Sequence, residues 1–166
     1  QVTSSKAPIT GIADLNSLKI RTMQNNNHME FFAALGANPT PVAFSELYMS
    51  LSQNTVDGQE NPIANVTDKK LYEVQKYLSL TKHIYDAMPL VCNLKFFESL
   101  PGKYQGIVKT GAVLGMEYSR FCNAEREELI LDEVPNLGMK AKDIGQDKVD
   151  AYLADVEKVL NEISDY

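Results

Sequence analysis

Arg21 is the side chain of this sequence best suited to binding chemistry. It lies in a mostly apolar run from Leu18 to Thr22 that predicts a buried strand, and a polar loop follows. A guanidinium stays charged at neutral pH, is costly to bury without a partner, and can hold a carboxylate through two parallel hydrogen bonds. The other two arginines, Arg120 and Arg126, lie in a predicted solvated helix. Arg21 is therefore either an anion anchor or one half of a structural salt bridge.

Further polar groups follow the ends of the other predicted strands. Phe44 ends the second strand, Glu60 and Asn61 follow the third, and His83 follows the fourth. In a sheet with parallel strands such loops converge on one edge, where ligands bind. Asn61 would orient a carboxylate or hydroxyl and Phe44 would form an apolar wall. The alternative is that Asn61 only caps a helix and Phe44 belongs to the core.

Motifs for catalysis or cofactor binding do not occur in this sequence. It has no GxGxxG, Walker or GxSxG pattern, and Cys92 and Cys122 lack metal-ligand spacing. We therefore expect no cofactor, no metal and no catalytic residue. His28 is expected to cap a helix or face solvent, and the two cysteines to be buried thiols, although one disulfide is possible.

Composition narrows the class of partner. The chain has 166 residues, is 44% hydrophobic and carries a net charge of -6. That length supports one domain with a real core, and the acidic balance disfavours nucleic acid and anionic membrane surfaces. The apolar runs are too short for a membrane span. The polar beginning, without methionine, suggests a piece that starts partway through a larger protein.

Strands and helices alternate along the chain, which predicts an α/β domain. Strands are predicted at residues 18–23, 42–44, 77–81 and 84–93, with a tight turn or brief strand at 56–58. Helices are predicted at residues 28–35, 46–52, 61–74, 103–133 and 147–163. Ser45 is expected to cap the second helix and Gly36 to stop the first. Three glycines in the long helix (Gly106, Gly111 and Gly115) predict tight packing or a bend there.

Four blocks carry a resemblance to a known family. They are Leu18–Arg21, Leu35–Tyr48, Val56–Pro62 and Tyr72–His83. In order and spacing they resemble the extracytoplasmic solute receptors of TRAP transporters, the DctP family. The resemblance covers nearly the whole chain, but only the later part of such a receptor. The opening elements of the first lobe are expected upstream of Gln1.

The resemblance implies a fold and a division of the chain. The fold is a periplasmic-binding-protein-like α/β lobe, with a mixed sheet flanked by helices and a long helix bridging toward a second, largely missing lobe. Residues 1–93 would form the ligand-binding part of the second lobe. Residues 94–166 would form the connecting helix and the helices that return across the lobes.

The resemblance also implies a binding protein that is not an enzyme. Arg21 matches the arginine that pairs with the substrate carboxylate, Asn61 the asparagine that bonds the same group, and Phe44 a cleft aromatic. The other matching positions near the cleft are Met23, Gln24, Glu60 and His83. A family receptor often has a further arginine before the Pro8-Ile9 segment, where this chain has Lys6.

The implied partners are a small organic acid and the permease subunits of a sodium-driven TRAP transporter, with no nucleic acid and no membrane insertion. C4-dicarboxylates, sialic acid, 2-oxo acids and sugar acids all remain open as ligands. We expect a monomer in the periplasm, or a lipid-anchored extracellular protein in a Gram-positive bacterium. The open alternatives are an α/β enzyme acting on a carboxylate and a truncated remnant with no ligand.

Overall fold

A computed structural model of the chain describes residues 1–85, 87–142 and 145–164. Its described part contains one six-stranded sheet in the order β3-β2-β4-β1-β5-β6. The strands are β1 Val2–Ser4, β2 Lys19–Thr22, β3 Asn38–Pro41, β4 Gly58–Glu60, β5 Tyr77–Ser79 and β6 Lys140–Lys142. Helices flank this mixed sheet, as the sequence predicts.

The direction of the strands brings four chain segments to one edge of the sheet. Strand β2 runs parallel to β3 and β4, while β1 runs antiparallel to both β4 and β5. Strands β2, β3, β4 and β5 therefore point the same way, and their carboxyl ends share an edge. The register places Arg21 beside Gln59 and beside Thr40.

The helices are α1 Asn26–Ala34, α2 Leu47–Ser52, α3 Ile63–Asp68, α4 Leu94–Ser99, α5 Gly102–Glu133 and α6 Gln146–Ser164. Short 3-10 turns lie at Ile12–Leu15, Phe44–Glu46 and Leu71–Glu73. The side chain of Asn25 caps α1 by accepting hydrogen bonds from the backbone N–H of Asn27 and His28. Gly36, with φ of 85°, follows α1 in the left-handed conformation that favours glycine.

Several predicted elements are displaced. The second strand covers residues 38–41 rather than 42–44, because β3 is an edge strand and tolerates Pro39 and Pro41. Ser45 lies in a 3-10 turn and caps nothing, since the N-cap of α2 is Glu46. The helix predicted at 61–74 ends at Asp68, because Lys70 has a φ of 52°.

The strand predicted at residues 84–93 is wrong for the part of that segment that is described. Residues 84, 85 and 87–93 form no strand, and Tyr85 and Met88 are 91% and 93% exposed. A strand requires hydrogen-bonding partners that an apolar pattern alone does not supply. Helix predictions were better, since α5 and α6 fall within a residue or two of their expected bounds.

Two apolar clusters form the core. One contains Ile20, Phe32 and Leu35 from β2 and α1 with their neighbours. The other contains Leu47, Leu51 and Val66 from α2 and α3, together with Leu78 of β5. Because side chains alternate along a strand, Ile20 enters the first cluster and Arg21 faces the opposite side of the sheet. Ala33, which is also in α1, is exposed.

The chain divides into two compact units. Residues 1–83 with the segment from Ile130 onward form the first, and Ile84–Leu129 form the second. In the second unit the apolar side chains of α5, including Ile107, Leu114 and Phe121, are exposed. A methyl group at Gly106, Gly111 or Gly115 would meet no described atom within 4 Å. Of the two alternatives predicted there, tight packing is therefore not seen among the described residues, and a bend stays a prediction.

The two cysteines are less buried than the sequence predicts. Cys92 is exposed and Cys122 half-buried, and both are free, so the expectation of buried thiols is wrong.

Among the described residues, none of the helices combines the length and apolar character that a bilayer crossing needs.

Candidate functional site

Arg21 lies at the carboxyl end of β2 and is buried, with 2% of its surface exposed. Its Nε donates a hydrogen bond to the backbone carbonyl of Val42 at 2.9 Å, which fixes the guanidinium against the loop after β3. Within residues 1–85, 87–142 and 145–164, no carboxylate forms a salt bridge with it. The internal salt bridge that the sequence left open is therefore not formed by the described residues.

The electrostatic environment of Arg21 has two opposing influences. Burial lowers the pKa of the guanidinium, and the nearby Glu60 carboxylate raises it. Arginine begins so far above neutrality that the group stays a cation. Glu60 is thus close enough to act on the charge without contacting it, which leaves a buried cation able to accept an anionic partner.

Phe44 forms a partly open aromatic surface beside the cation. The Cζ of Arg21 lies 5.9 Å from the centre of the ring, and the Nζ of Lys69 lies 5.3 Å from it. Phe44 is 39% exposed, so the alternative of a core residue does not hold. Lys69, which follows α3, was missed by the sequence analysis because nothing local links it to Phe44.

Asn61 follows β4 and is held by two side-chain hydrogen bonds. Its Nδ2 donates to Oε1 of Gln59, and its Oδ1 accepts from Nδ2 of Asn65 at 3.0 Å. The N-cap of α3 is Pro62, so Asn61 does not cap that helix. An amide nitrogen has two hydrogens, and the contact with Gln59 uses one of them. Asn61 is therefore fixed in orientation while keeping a donor for a further partner.

The network of side-chain hydrogen bonds continues from β4 to β1 and to the segment before β5. Nε2 of Gln59 donates to Oγ1 of Thr3 at 3.0 Å, and that hydroxyl donates to Oε1 of Gln75 at 3.0 Å. These three side chains are fully or almost fully buried. A buried network with its groups satisfied resists rotation, so it gives Asn61 a rigid support.

Glu60 lies between the two histidines of the chain. Its Oε1 is 3.7 Å from Nδ1 of His28 and its Oε2 is 3.7 Å from Nε2 of His83. Burial lowers the pKa of His83 to about 3, so this ring is neutral at physiological pH. Nδ1 of His83 lies 2.6 Å from Oγ1 of Thr81, and the ring stacks on Phe31 with centroids 6.1 Å apart. His28, which the sequence placed as a cap or a surface residue, instead belongs to this cluster.

Met23 and Gln24 lie in the exposed loop between β2 and α1. Met23 is 41% exposed, so both positions are open to a partner at the edge of the sheet. Lys6, at the position where an additional arginine was considered, forms an ion pair at 3.4 Å with Asp57; the lysine is exposed and the aspartate is mostly buried.

The arrangement is suited to holding an anion. It combines one buried cation, one oriented amide and one aromatic face at a single edge of the sheet. Groups of three or more residues able to ligate a metal are absent from the part of the chain that the structure describes. A carboxylate could take two hydrogen bonds from Arg21 and one from Asn61, which is recognition rather than bond-making chemistry.

Comparison with known proteins finds similar sequences among bacterial extracellular solute-binding proteins. The sequence pattern of the bacterial extracellular solute-binding proteins of family 7, DctP, matches residues 1–165. The 2,3-diketo-L-gulonate-binding periplasmic protein YiaO of Escherichia coli is 39% identical over 139 residues. That alignment covers 84% of this chain and 42% of YiaO.

Solved structures agree with the sequence match. A TRAP periplasmic solute-binding protein from Polaromonas, bound to D-erythronate, is 31% identical with a TM-score of 0.82. One from Ralstonia eutropha, bound to (S)-2-acetolactate, is 28% identical with a TM-score of 0.86. Both alignments cover 97% of this chain, but only 54% and 53% of the solved chains. The chain thus spans about half the length of these relatives.

Proposed function

This chain belongs to the DctP family, family 7 of the bacterial extracellular solute-binding proteins, and on that premise we propose that it captures a small organic acid. The carboxylate of the acid pairs with Arg21 and accepts a hydrogen bond from Asn61. The aromatic ring of Phe44 covers the apolar side of the ligand. Met23, Gln24, Glu60 and His83 complete the surroundings of the acid.

One observation carries the proposal. Arg21 is 2% exposed and no described carboxylate contacts it, although an unneutralised buried cation is costly. A protein keeps such an arrangement where a charged partner supplies the missing neutralisation. Solved relatives are consistent with this chemistry, because three of them hold D-erythronate, L-fuconate and L-galactonate, which are all hydroxy acids.

Capture would proceed by closure of two lobes around the acid. The ligand drives closure only if it binds the closed form more tightly than the open one. The charge-assisted contact with Arg21 strengthens when closure excludes water, which supplies that difference. The glycines of α5 are the proposed positions of bending, and residues 1–93 and 94–166 are the proposed division of the chain between ligand binding and lobe connection.

Delivery of the acid to a sodium-driven TRAP permease in the membrane follows from the same proposal. For this role the protein would lie in the periplasm, or on a lipid anchor outside a Gram-positive cell. A monomer is sufficient for this role, since one chain holds both the cation and the amide.

The test is the identity of the ligand carried by the full-length protein. Native mass spectrometry after gentle purification should find one organic acid per protein, and incubation should return that acid chemically unchanged. Conversion of the acid into a product would instead establish an enzyme. A protein that carries no acid and captures none from a mixture of organic acids would refute the proposal.

A further inference from the structure

His28 is a candidate binding residue that neither the sequence pattern nor the comparisons single out. It lies in the first turn of α1, at the edge of the sheet that carries Arg21 and Glu60. Its Nδ1 is buried, lies 3.7 Å from Oε1 of Glu60, and forms no hydrogen bond within the described part of the chain. The side chain as a whole is 21% exposed, so the open part of the ring is the part away from Nδ1.

Glu60 determines which nitrogen of His28 carries the proton. A neutral imidazole has one N–H and one lone pair, and the position of the N–H follows the nearest acceptor. A lone pair on Nδ1 directed at a carboxylate would be repelled, so the proton is assigned to Nδ1. Nε2 then has a free lone pair on the open side of the ring. The group that meets Nε2 must be a hydrogen-bond donor.

The two ends of this edge carry different groups. Arg21 and Lys69 both lie near the ring of Phe44, which follows β3. Glu60, at the end of β4, lies between His28 of α1 and His83, which follows β5. An anionic group is favoured beside Phe44 and disfavoured beside Glu60. A donor such as a hydroxyl fits the end where His28 and Glu60 both present acceptors.

We propose that Nε2 of His28 accepts a hydrogen bond from a hydroxyl group of the bound acid, so that the site selects hydroxy monocarboxylates over dicarboxylates. This inference rests on the proposed function, because it assumes that a carboxylate of the ligand pairs with Arg21. His28 is then a specificity-determining residue. A dicarboxylate of similar length would bring a second anion to the Glu60 end and meet repulsion there.

Two matched sets of acids test the selectivity by calorimetry with the full-length protein at pH 8. The four-carbon set is D-erythronate, butyrate and succinate, and the six-carbon set is L-galactonate, hexanoate and adipate. Within at least one set the hydroxy acid should bind about tenfold more tightly than both others, as expected for one hydrogen bond plus the avoided repulsion.

Variants at position 28 connect the preference to this side chain. His28→Phe keeps a ring but removes the acceptor, so it should abolish most of the preference for the hydroxy acid over the plain acid. His28→Gln can place an amide oxygen near the position of Nε2 and should retain part of it. Asn27→Ala, in the same exposed turn, is the control and should change nothing.

The outcomes separate this inference from the proposed function. Succinate or adipate binding as tightly as the hydroxy acid would overturn the inference and leave acid capture intact. So would a His28→Phe variant with the wild-type preference. If His28→Phe does not fold, the wild-type panel and His28→Gln still decide the matter. A protein that binds none of the six acids, and carries no acid in native mass spectrometry, would overturn both proposals.

Discussion

Replacing Arg21 by lysine should weaken acid binding far more than the retained charge suggests. Arg21 is 2% exposed, so water does not screen its contact with the ligand. A guanidinium can form two hydrogen bonds to one carboxylate, whereas an ammonium forms a single point contact. A hydrogen bond to a charged group contributes about 1.5–3 kcal/mol. Loss of one such bond predicts a fall in affinity of about 30-fold.

Arg21→Met removes both hydrogen bonds and the charge while keeping an unbranched apolar stem. The loss should be about 4 kcal/mol, or roughly a thousandfold in affinity. Arg120→Lys is the matched control, because that arginine is exposed on α5 and should tolerate the same change without effect. Calorimetric titration with the acid that the purified protein carries gives the affinities of the three variants and of the wild type.

Thermal unfolding without ligand shows whether the variants are folded. Both Arg21 variants should unfold cooperatively, since the hydrogen bond to the Val42 carbonyl is the one described direct bond that they disturb. The reasoning would be refuted by an Arg21→Lys protein that binds the acid as tightly as the wild type. It would also be refuted if Arg120→Lys weakened binding to the same extent.

Three further predictions concern the support of the site. Asn65→Ala should weaken acid binding several-fold in calorimetry, because Oδ1 of Asn61 loses its hydrogen-bond donor and the amide can rotate away. If the variant binds the acid as tightly as the wild type, the hydrogen bond from Asn65 is not needed to orient Asn61. His83→Gln should flatten the pH dependence of stability. The folded ring has a pKa of about 3, against about 6.5 when unfolded. Below pH 6.5 the unfolded state binds the extra proton, so wild-type stability falls as pH decreases toward 3. By pH 5 the loss is about 2 kcal/mol, which urea titrations of both proteins at pH 7 and 5 would detect; parallel pH profiles would contradict the assignment. Gly58→Ala should lower the free energy of unfolding by about 2–3 kcal/mol, because its methyl group would overlap the backbone carbonyl of Thr3. Gly11→Ala, where a methyl group meets nothing within 4 Å, is the control for the same urea measurement.

Local features of this protein were predictable because short-range chemistry determines them. The strand that contains Arg21 and the helix stop at Gly36 each depend on a few neighbouring residues. The four sequence blocks also indicated the family, which the comparison with known proteins confirmed. The roles of the individual site residues stay predictions.

Other local inferences failed where a distant partner was decisive. The apolar residues 84–93 have strand-forming composition, yet the described ones pair with no neighbouring strand. The second strand was predicted at residues 42–44, although the two prolines before it belong to the strand itself, at the edge of the sheet. The residue pattern of a segment does not determine which other segment of the chain it will pair with.

The sequence by itself determined that one arginine lies near the end of a buried strand, and that a carboxylate and an amide come at the end of another. Only the tertiary structure decided their contacts, because strand order and register bring together residues that are remote in the chain. Glu60 approaches both histidines, and Lys69 lies over Phe44, through packing that no local spacing encodes. Burial of Arg21 without a described carboxylate partner is likewise a property of the folded sheet, since charge balance is set by neighbours in space.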